Sequence, residues 1–246
     1  MSDISHSSRS SPAQFLGQEA LEKLRWDILG GAFEPDSKLR FALLQERYGV
    51  GIGTIREGLS HLASEGLVKL EAGRGFRVAP VSKADLLDIS EMRVDFERKA
   101  LTDAIANGDD AWEARILTTF HFLEKMEARP LADRLKDASH WNRIHRDFHN
   151  ALVSACRSHW LLHFHAILFD QADRYRLLSL RYRPKGSTRK GEHQAIMDAV
   201  LGREVDRACR LAEQHIRRTV RDVLEYSPRL ADGSPRDDRK RSLVRR

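Results

Sequence analysis

The sequence predicts a mostly α protein, an N-terminal winged helix-turn-helix followed by an all-helical bundle. Three observations carry that expectation. Gly53 to Val68, GTIREGLSHLASEGLV, places Ile55, Leu59, Leu62, Ala63 and Leu67 on one helical stripe. It is followed at once by VKLEAGRGFRV, two short alternating strands around the tip Gly73-Arg74-Gly75. Beyond Val81 every long stretch repeats apolar residues with a 3.6-residue period, and no segment reads convincingly as a strand.

Taken in order, the start MSDISHSSRSSPAQ is Ser-rich and lacks the apolar core of a signal peptide, so residues 1–14 read as a flexible leader. A first helix over 18–29 has Ala20, Leu21, Leu24, Ile28 and Leu29 at helical spacing and stops at Gly30-Gly31. A second covers 41–48 and ends at Gly49-Val50-Gly51, and the third is the Gly53–Val68 segment. With the strand pair these make a winged helix over 15–80. In the second part, Ser82 and Asp85 form a capping-box-like start. Helices are expected at 83–107, 110–128, 131–156, 160–183, 188–201 and 204–226, which makes 81–226 an all-helical bundle. The Pro/Gly/Ser-punctuated remainder, 227–246, reads as a disordered basic tail.

A chain of 246 residues can bury a core without staples. Its two cysteines, Cys156 and Cys209, fall inside helical patterns, and no apolar run is long enough to span a bilayer, so the expected setting is the cytoplasm, away from any membrane. The formal charge of +6 suggests nucleic acid, but its distribution does not. Residues 15–80 carry nine Lys and Arg against nine Asp and Glu, residues 81–226 twenty-five against twenty-three, and the excess, seven against three, lies in the tail. DNA binding must therefore be argued from individual positions.

On the third helix the apolar stripe leaves Gly53, Arg56 and Ser60 on the opposite face. A guanidinium near the start of a recognition helix can bond bidentately to guanine O6 and N7, which makes Arg56 the candidate base reader; the alternative is a solvated charge beside Glu57. Thr54 and the glycines at the helix start stand where a phosphate could approach the backbone. Arg40, Arg47, Lys69 and Arg74 are candidate phosphate contacts, with Gly75 letting the wing tip lie flat; a solvated role is the alternative for each.

The run from Leu39 to Val78 resembles the DNA-binding domain of the GntR family of bacterial transcription regulators, matching its pattern at Leu44, Gly49, Val50, Ile55, Arg56, Glu57, Leu59, Leu62, Glu65 to Val68, Gly75 and Val78. It departs from that pattern at Gly51 for serine, Ile52 for arginine and Gly58 for alanine. The resemblance implies a transcription regulator that binds double-stranded, palindromic operator DNA as a homodimer.

Eleven histidines is a high count, and four have spacing that suits a metal. His145 and His149 stand at i, i+4 on one helix face, while His193 and His215 are each about ten residues from the Gly202 break and so come level across a hairpin. Neutral imidazoles suit zinc or nickel better than calcium or magnesium. A surface or hydrogen-bonded core histidine pair is the competing reading, and the remaining histidines read as structural.

Residues 83–220 also resemble the FCD ligand-binding domain of the FadR subgroup, through Arg93 and Glu97 (R-x3-E), through Phe148, His149, Ala151 and Leu152 (FH-x-AL), and through His193 and His215. Metal-binding members have Asp or Asn where this chain has His145, so a fully neutral ligand set with the ion's whole charge intact is expected. The resemblance implies a small carboxylate effector that coordinates the metal and is clamped by arginine, with Arg93 in the cavity and Arg174 and Arg176 as further clamps, a surface role for these two being the alternative. SACRSHWLLHFHAILFDQADRYRLLSLR is similar to subgroup repressors of glutarate and 4-aminobutyrate catabolism, which implies a dicarboxylate such as glutarate or 2-hydroxyglutarate. The expected function is thus a repressor released from DNA by that effector, with an activator of the same family as one alternative. A metal-dependent hydrolase is the other, and it lacks an HExxH-like motif or a carboxylate adjacent to the histidines; Glu192 is expected to point away.

Overall fold

The computed structural model describes residues 12–180, 182, 191–227 and 230. Helix α1, Pro12–Leu29, begins inside the stretch expected to be a flexible leader, and residues 1–11 lie outside the described ones. Strand β1, Lys38–Leu39, escaped the sequence reading because two residues carry no periodicity; it pairs antiparallel with β3, Lys38 opposite Arg77 and Leu39 opposite Phe76. Helix α2 is Phe41–Tyr48, closed by Gly49 at φ +67°, a left-handed turn that glycine adopts without a Cβ penalty.

Helix α3 spans Ile52–Ser64, four residues short of the expected end. Gly66 at φ +75° turns the chain, Leu67 N–H returns to Leu62 O at 3.0 Å, and Val68 already starts β2. That is the Schellman way of closing a helix on its own carbonyls. Strands β2, Val68–Glu71, and β3, Gly75–Val78, form the wing, and the sheet order is β1-β3-β2. The three helices and the sheet enclose a core that includes Leu24, Ile28, Leu44, Ile55, Leu59 and Phe76.

After Ser82, whose side chain accepts the Asp85 N–H, come α4, Lys83–Asn107, and α5, Asp110–Glu127. The single helix expected over 131–156 is two, α6, Leu131–Lys136, and α7, Ala138–Val153. Asp137 breaks it: its backbone leaves the helical region at φ −124°, ψ 55° and its carboxylate accepts the His140 N–H at 3.3 Å, so it caps α7. Helices α8, His159–Leu180, α9, Glu192–Leu201, and α10, Val205–Tyr226, complete the bundle; Tyr182 and Gly191, expected to be helical, are in turns, while the expected helical positions 181, 183 and 188–190, and all of the tail but Ser227 and Leu230, lie outside the described residues. Helices α4, α8 and α10 pack together on one side and α5 packs on α7 on the other, around a core including Leu101, Ile116, Phe148, Leu152, Ile196 and Val200. No helix among the described residues is long and apolar enough to cross a membrane.

Candidate DNA-reading face and histidine cavity

Packing of α3 through Ile55, Leu59 and Leu62 turns its other face outward. Arg56 is exposed there, its guanidinium 5.3 Å over the Phe41 ring, a stacking contact that limits its rotamers without neutralising it. Gly53 is exposed with open space where a Cβ would stand, so packing does not demand glycine there; a close backbone approach from outside would. Thr54 is half-buried, with its methyl turned toward Gly17 of α1. Arg40, Lys69 and Arg74 are exposed, and Gly75 adopts φ +88° at the start of β3. Arg47 is exposed as well and has an acidic partner. Its Nε donates to Asp27 at 2.9 Å and Tyr48 Oη donates to the same carboxylate at 2.6 Å, so Arg47 ties α2 to α1.

Two departures from the GntR pattern have physical readings. A Cβ on Gly58 would fall 1.9 Å from Leu21 Cδ2, so glycine here admits a close approach of α1 to α3. Ile52 heads α3 and is 49% exposed, an apolar side chain displayed at the helix entrance.

In the bundle, α7 presents His145 and His149 one turn apart, α9 presents His193 in its first turn, and α10 presents His215. All four are buried, and one ring nitrogen from each lies within 4.8 Å of the others. The His193 and His215 rings are 4.7 Å apart, level across the hairpin. Among the described residues, buried His145 Nδ1, His149 Nε2 and His193 Nε2 have no hydrogen-bond partner. Burial, with Arg176 and the neighbouring histidines after it, holds His145 well below the usual imidazole range; burial, then His193 and His215, does the same for His149. These rings are neutral and offer lone pairs, the state in which imidazole binds a cation. The donor set therefore fits a divalent metal of the zinc or nickel type.

Carboxylates stand behind the ring, contrary to the expectation from sequence. Glu127 of α5 meets His193 Nδ1 at 3.2 Å, and Glu192 meets His215 Nδ1 at 3.0 Å instead of pointing away. A carboxylate only accepts, so Nδ1 carries the proton in both rings and Nε2 faces the cluster. Asp173 of α8 lies 3.8 Å from His145 Nδ1. The surrounding carboxylates would offset part of a bound ion's charge, and Glu127 and Glu192 orient the imidazoles of His193 and His215.

Arg93 is buried beside this group, its guanidinium 4.4 Å over the Phe169 ring, and among the described residues its Nε has no partner. With Glu97, His149 and His215 it lines a closed cleft too narrow for a water molecule, whose other wall is Leu152, Ile196 and Ile216. Glu97 takes His165 Nε2 at 2.7 Å; burial alone would raise its carboxyl, but His165 and Arg93 hold it low. His165, read from sequence as structural, thus anchors the cavity wall. Arg176 sits near His145, donating to Asp173 and, at 2.7 Å, to Asn142 Oδ1. Arg174 is placed elsewhere: it donates to Ala79 O at 3.2 Å and Pro80 O at 3.3 Å, in the connection between the two parts. Linker carbonyls, which sequence cannot weigh as partners, claim it.

Residues 16–78 match the family described as bacterial regulatory proteins, gntR family, and residues 88–218 match the FCD domain. The chain belongs to the GntR family. This GntR-FCD chain is 41% identical over 204 residues to the HTH-type transcriptional repressor GlaR of Escherichia coli (strain K12), covering 80% of this chain and 92% of that protein. It is 36% identical over 209 residues to an uncharacterized HTH-type transcriptional regulator, BphR of Paraburkholderia xenovorans (strain LB400), covering 85% of each. In fold it is similar to the structure of E. coli McbR/YncC, with a TM-score of 0.72 at 18% identity over 85% of this chain and 97% of that one. It is likewise similar to a putative GntR regulator from Rhodococcus sp. RHA1, with a TM-score of 0.66 at 19% identity and the same coverage. The GntR-FCD chain is a ligand-responsive DNA-binding transcriptional regulator, not an enzyme.

Proposed function

We propose that this regulator is a cytoplasmic homodimeric repressor of carboxylic-acid catabolism genes, released from a palindromic operator by a small carboxylate or dicarboxylate. Its division is residues 15–80 for reading DNA and 81–226 for sensing and dimerisation, with Arg56 reading bases and Arg40, Lys69 and Arg74 meeting phosphates. His145, His149, His193 and His215 hold a divalent metal, zinc or nickel. The ion supplies a Lewis-acidic anchor for a carboxylate oxygen, and Arg93 pairs with the same ligand.

One observation carries the reading: four buried imidazoles converge, three of them with a ring nitrogen that has no hydrogen-bond partner among the described residues, and buried Arg93 lies beside them, sharing a cleft with His149 and His215. Such groups are costly to leave unpaired, and a cation plus an anion satisfies them together. Kinship to GlaR, whose name is that of a repressor, supports the sign of the response. The cleft as it stands has no room for a ligand, so effector entry entails side-chain movement. The test is a thermal-shift panel of small carboxylates with zinc-loaded and chelated protein. At least one carboxylate is expected to stabilise the zinc form alone; an equal shift in chelated protein and in His149→Ala would overturn the metal route.

A further inference from the structure

Helix α8 is buried on every side from Phe169 to Leu177, and its residues divide into two stripes. Phe169, Asp173 and Arg176, spaced i, i+4, i+7, face the histidines: the Phe169 ring lies 5.3 Å from His149, and Asp173 lies 3.8 Å from His145. Asp170, Gln171 and Arg174 face the winged helix. Asp170 takes Arg25 of α1 and, at 3.1 Å, Arg146 of α7. Arg25 also takes Glu65, the residue that closes the recognition helix α3. Gln171 Nε2 donates to the backbone oxygen of that same Glu65 at 2.6 Å.

The end of α3 is therefore pinned to α8 twice, once by charge and once by an amide. Arg146, the second arginine on Asp170, is the chain neighbour of His145, a member of the histidine cluster. Two arginines and two carboxylates close a neutral, mostly buried network that joins α1, α3, α7 and α8. A network of that kind has one good geometry, because moving any member leaves a charge buried without its partner. Displacing α7 or α8 at the cavity thus cannot leave the end of α3 where it was.

We infer that Asp170 is a positioning residue that couples the histidine cavity to the recognition helix through Arg25, Arg146 and Glu65. This rests on reading the cavity as the sensing site. Asp170 touches neither DNA nor a cavity ligand; it fixes where α3 stands relative to α8.

The experiment is hydrogen exchange by mass spectrometry on the full chain and on Asp170→Asn, which keeps the shape and removes the charge. Two probes are used, zinc alone and a duplex selected by the protein from a random pool. In the unmodified chain zinc is expected to slow exchange across residues 61–67 by about fivefold or more, the lower end of ordinary coupling between sites. In Asp170→Asn zinc should bind with unchanged affinity and protect α7, yet leave 61–67 within about twofold of the zinc-free rate. Equal protection of 61–67 in both proteins, or none in the unmodified chain with zinc bound, overturns the proposal.

If zinc does not bind, the metal reading alone falls, and the duplex decides. It must change exchange across 141–152 in the unmodified chain and not in Asp170→Asn; no change in the former, or equal changes, overturns the coupling. Should Asp170→Asn lose its helical circular dichroism, Gln171→Ala replaces it. That variant removes only the amide contact to Glu65 and should at least halve the long-range protection, whereas full protection would sink the proposal.

Discussion

Glu192→Gln tests whether the outer carboxylates set the chemistry of the histidine ring. Glu192 heads α9 and its two oxygens have separate partners: Oε2 accepts from His215 Nδ1 at 3.0 Å, and Oε1 accepts from Arg218 Nη1 at 2.6 Å. Glutamine keeps the outline, removes the charge, and sets an N–H₂ group against a donor at one of those positions. Outer-shell partners of this type change metal affinity about 10- to 100-fold, or about 1.4 to 2.7 kcal/mol. Glu192 is 18% exposed and held by an arginine, so its loss belongs near the upper end of that range. Glu127 is 30% exposed and 3.2 Å from His193, so Glu127→Gln belongs near the lower end. Zinc affinity measured at neutral pH by competition with a chromophoric chelator gives both numbers, with circular dichroism as the folding control. Unchanged affinity in Glu192→Gln, in a protein where His215→Ala loses binding, would refute the argument that the carboxylate fixes the tautomer.

Stability of metal-free protein should depend on pH, because His145 and His149 are held well below the usual imidazole range by burial. Below about pH 6.5 the unfolded chain binds more protons than the folded one, so stability is lost as pH falls, by up to about 1.4 kcal/mol per pH unit per histidine. Urea melts of chelated protein from about pH 7 to about pH 5 would show this, and a flat profile would contradict it. Arg56→Ala should weaken operator binding by about 1 to 3 kcal/mol, concentrated at one base step. A uniform loss over all sequences in a binding-selection assay would make Arg56 a phosphate contact. In Gly58→Ala, better helix propensity is worth about 1 kcal/mol, while the clash with Leu21 costs about 1 to 3. Net destabilisation in a denaturant melt is the expected outcome, and a more stable variant would mean that Leu21 moves aside freely.

Helices α2 and α4 were legible to the residue because their ends are chemical: Gly49 closes one, and Ser82 opens the other by accepting the Asp85 N–H. Where a stop signal is made by three-dimensional pairing, sequence ran past it. Val68 continues the apolar stripe of α3 but sits opposite Val78 in the sheet, and Asp137 looks like one polar residue among several until its carboxylate caps α7. The four histidines could be found because helical spacing and a hairpin place them by arithmetic. Glu127 could not, since it comes from α5 and no local pattern connects it to α9. Arg174 and Arg176 are two residues apart on one helix yet have unrelated partners, one in the linker and one beside His145, a separation that only the direction of each side chain reveals.

Ile52 stands exposed at the head of α3, where the GntR pattern has arginine. Each phosphate left without a cation removes about 0.9 from the slope of log affinity against log salt, because one fewer condensed counterion is expelled. An apolar side chain at that position can instead meet the methyl group of thymine, a contact that ionic strength does not screen. Grip on the operator then varies less with ionic strength than it would with arginine there.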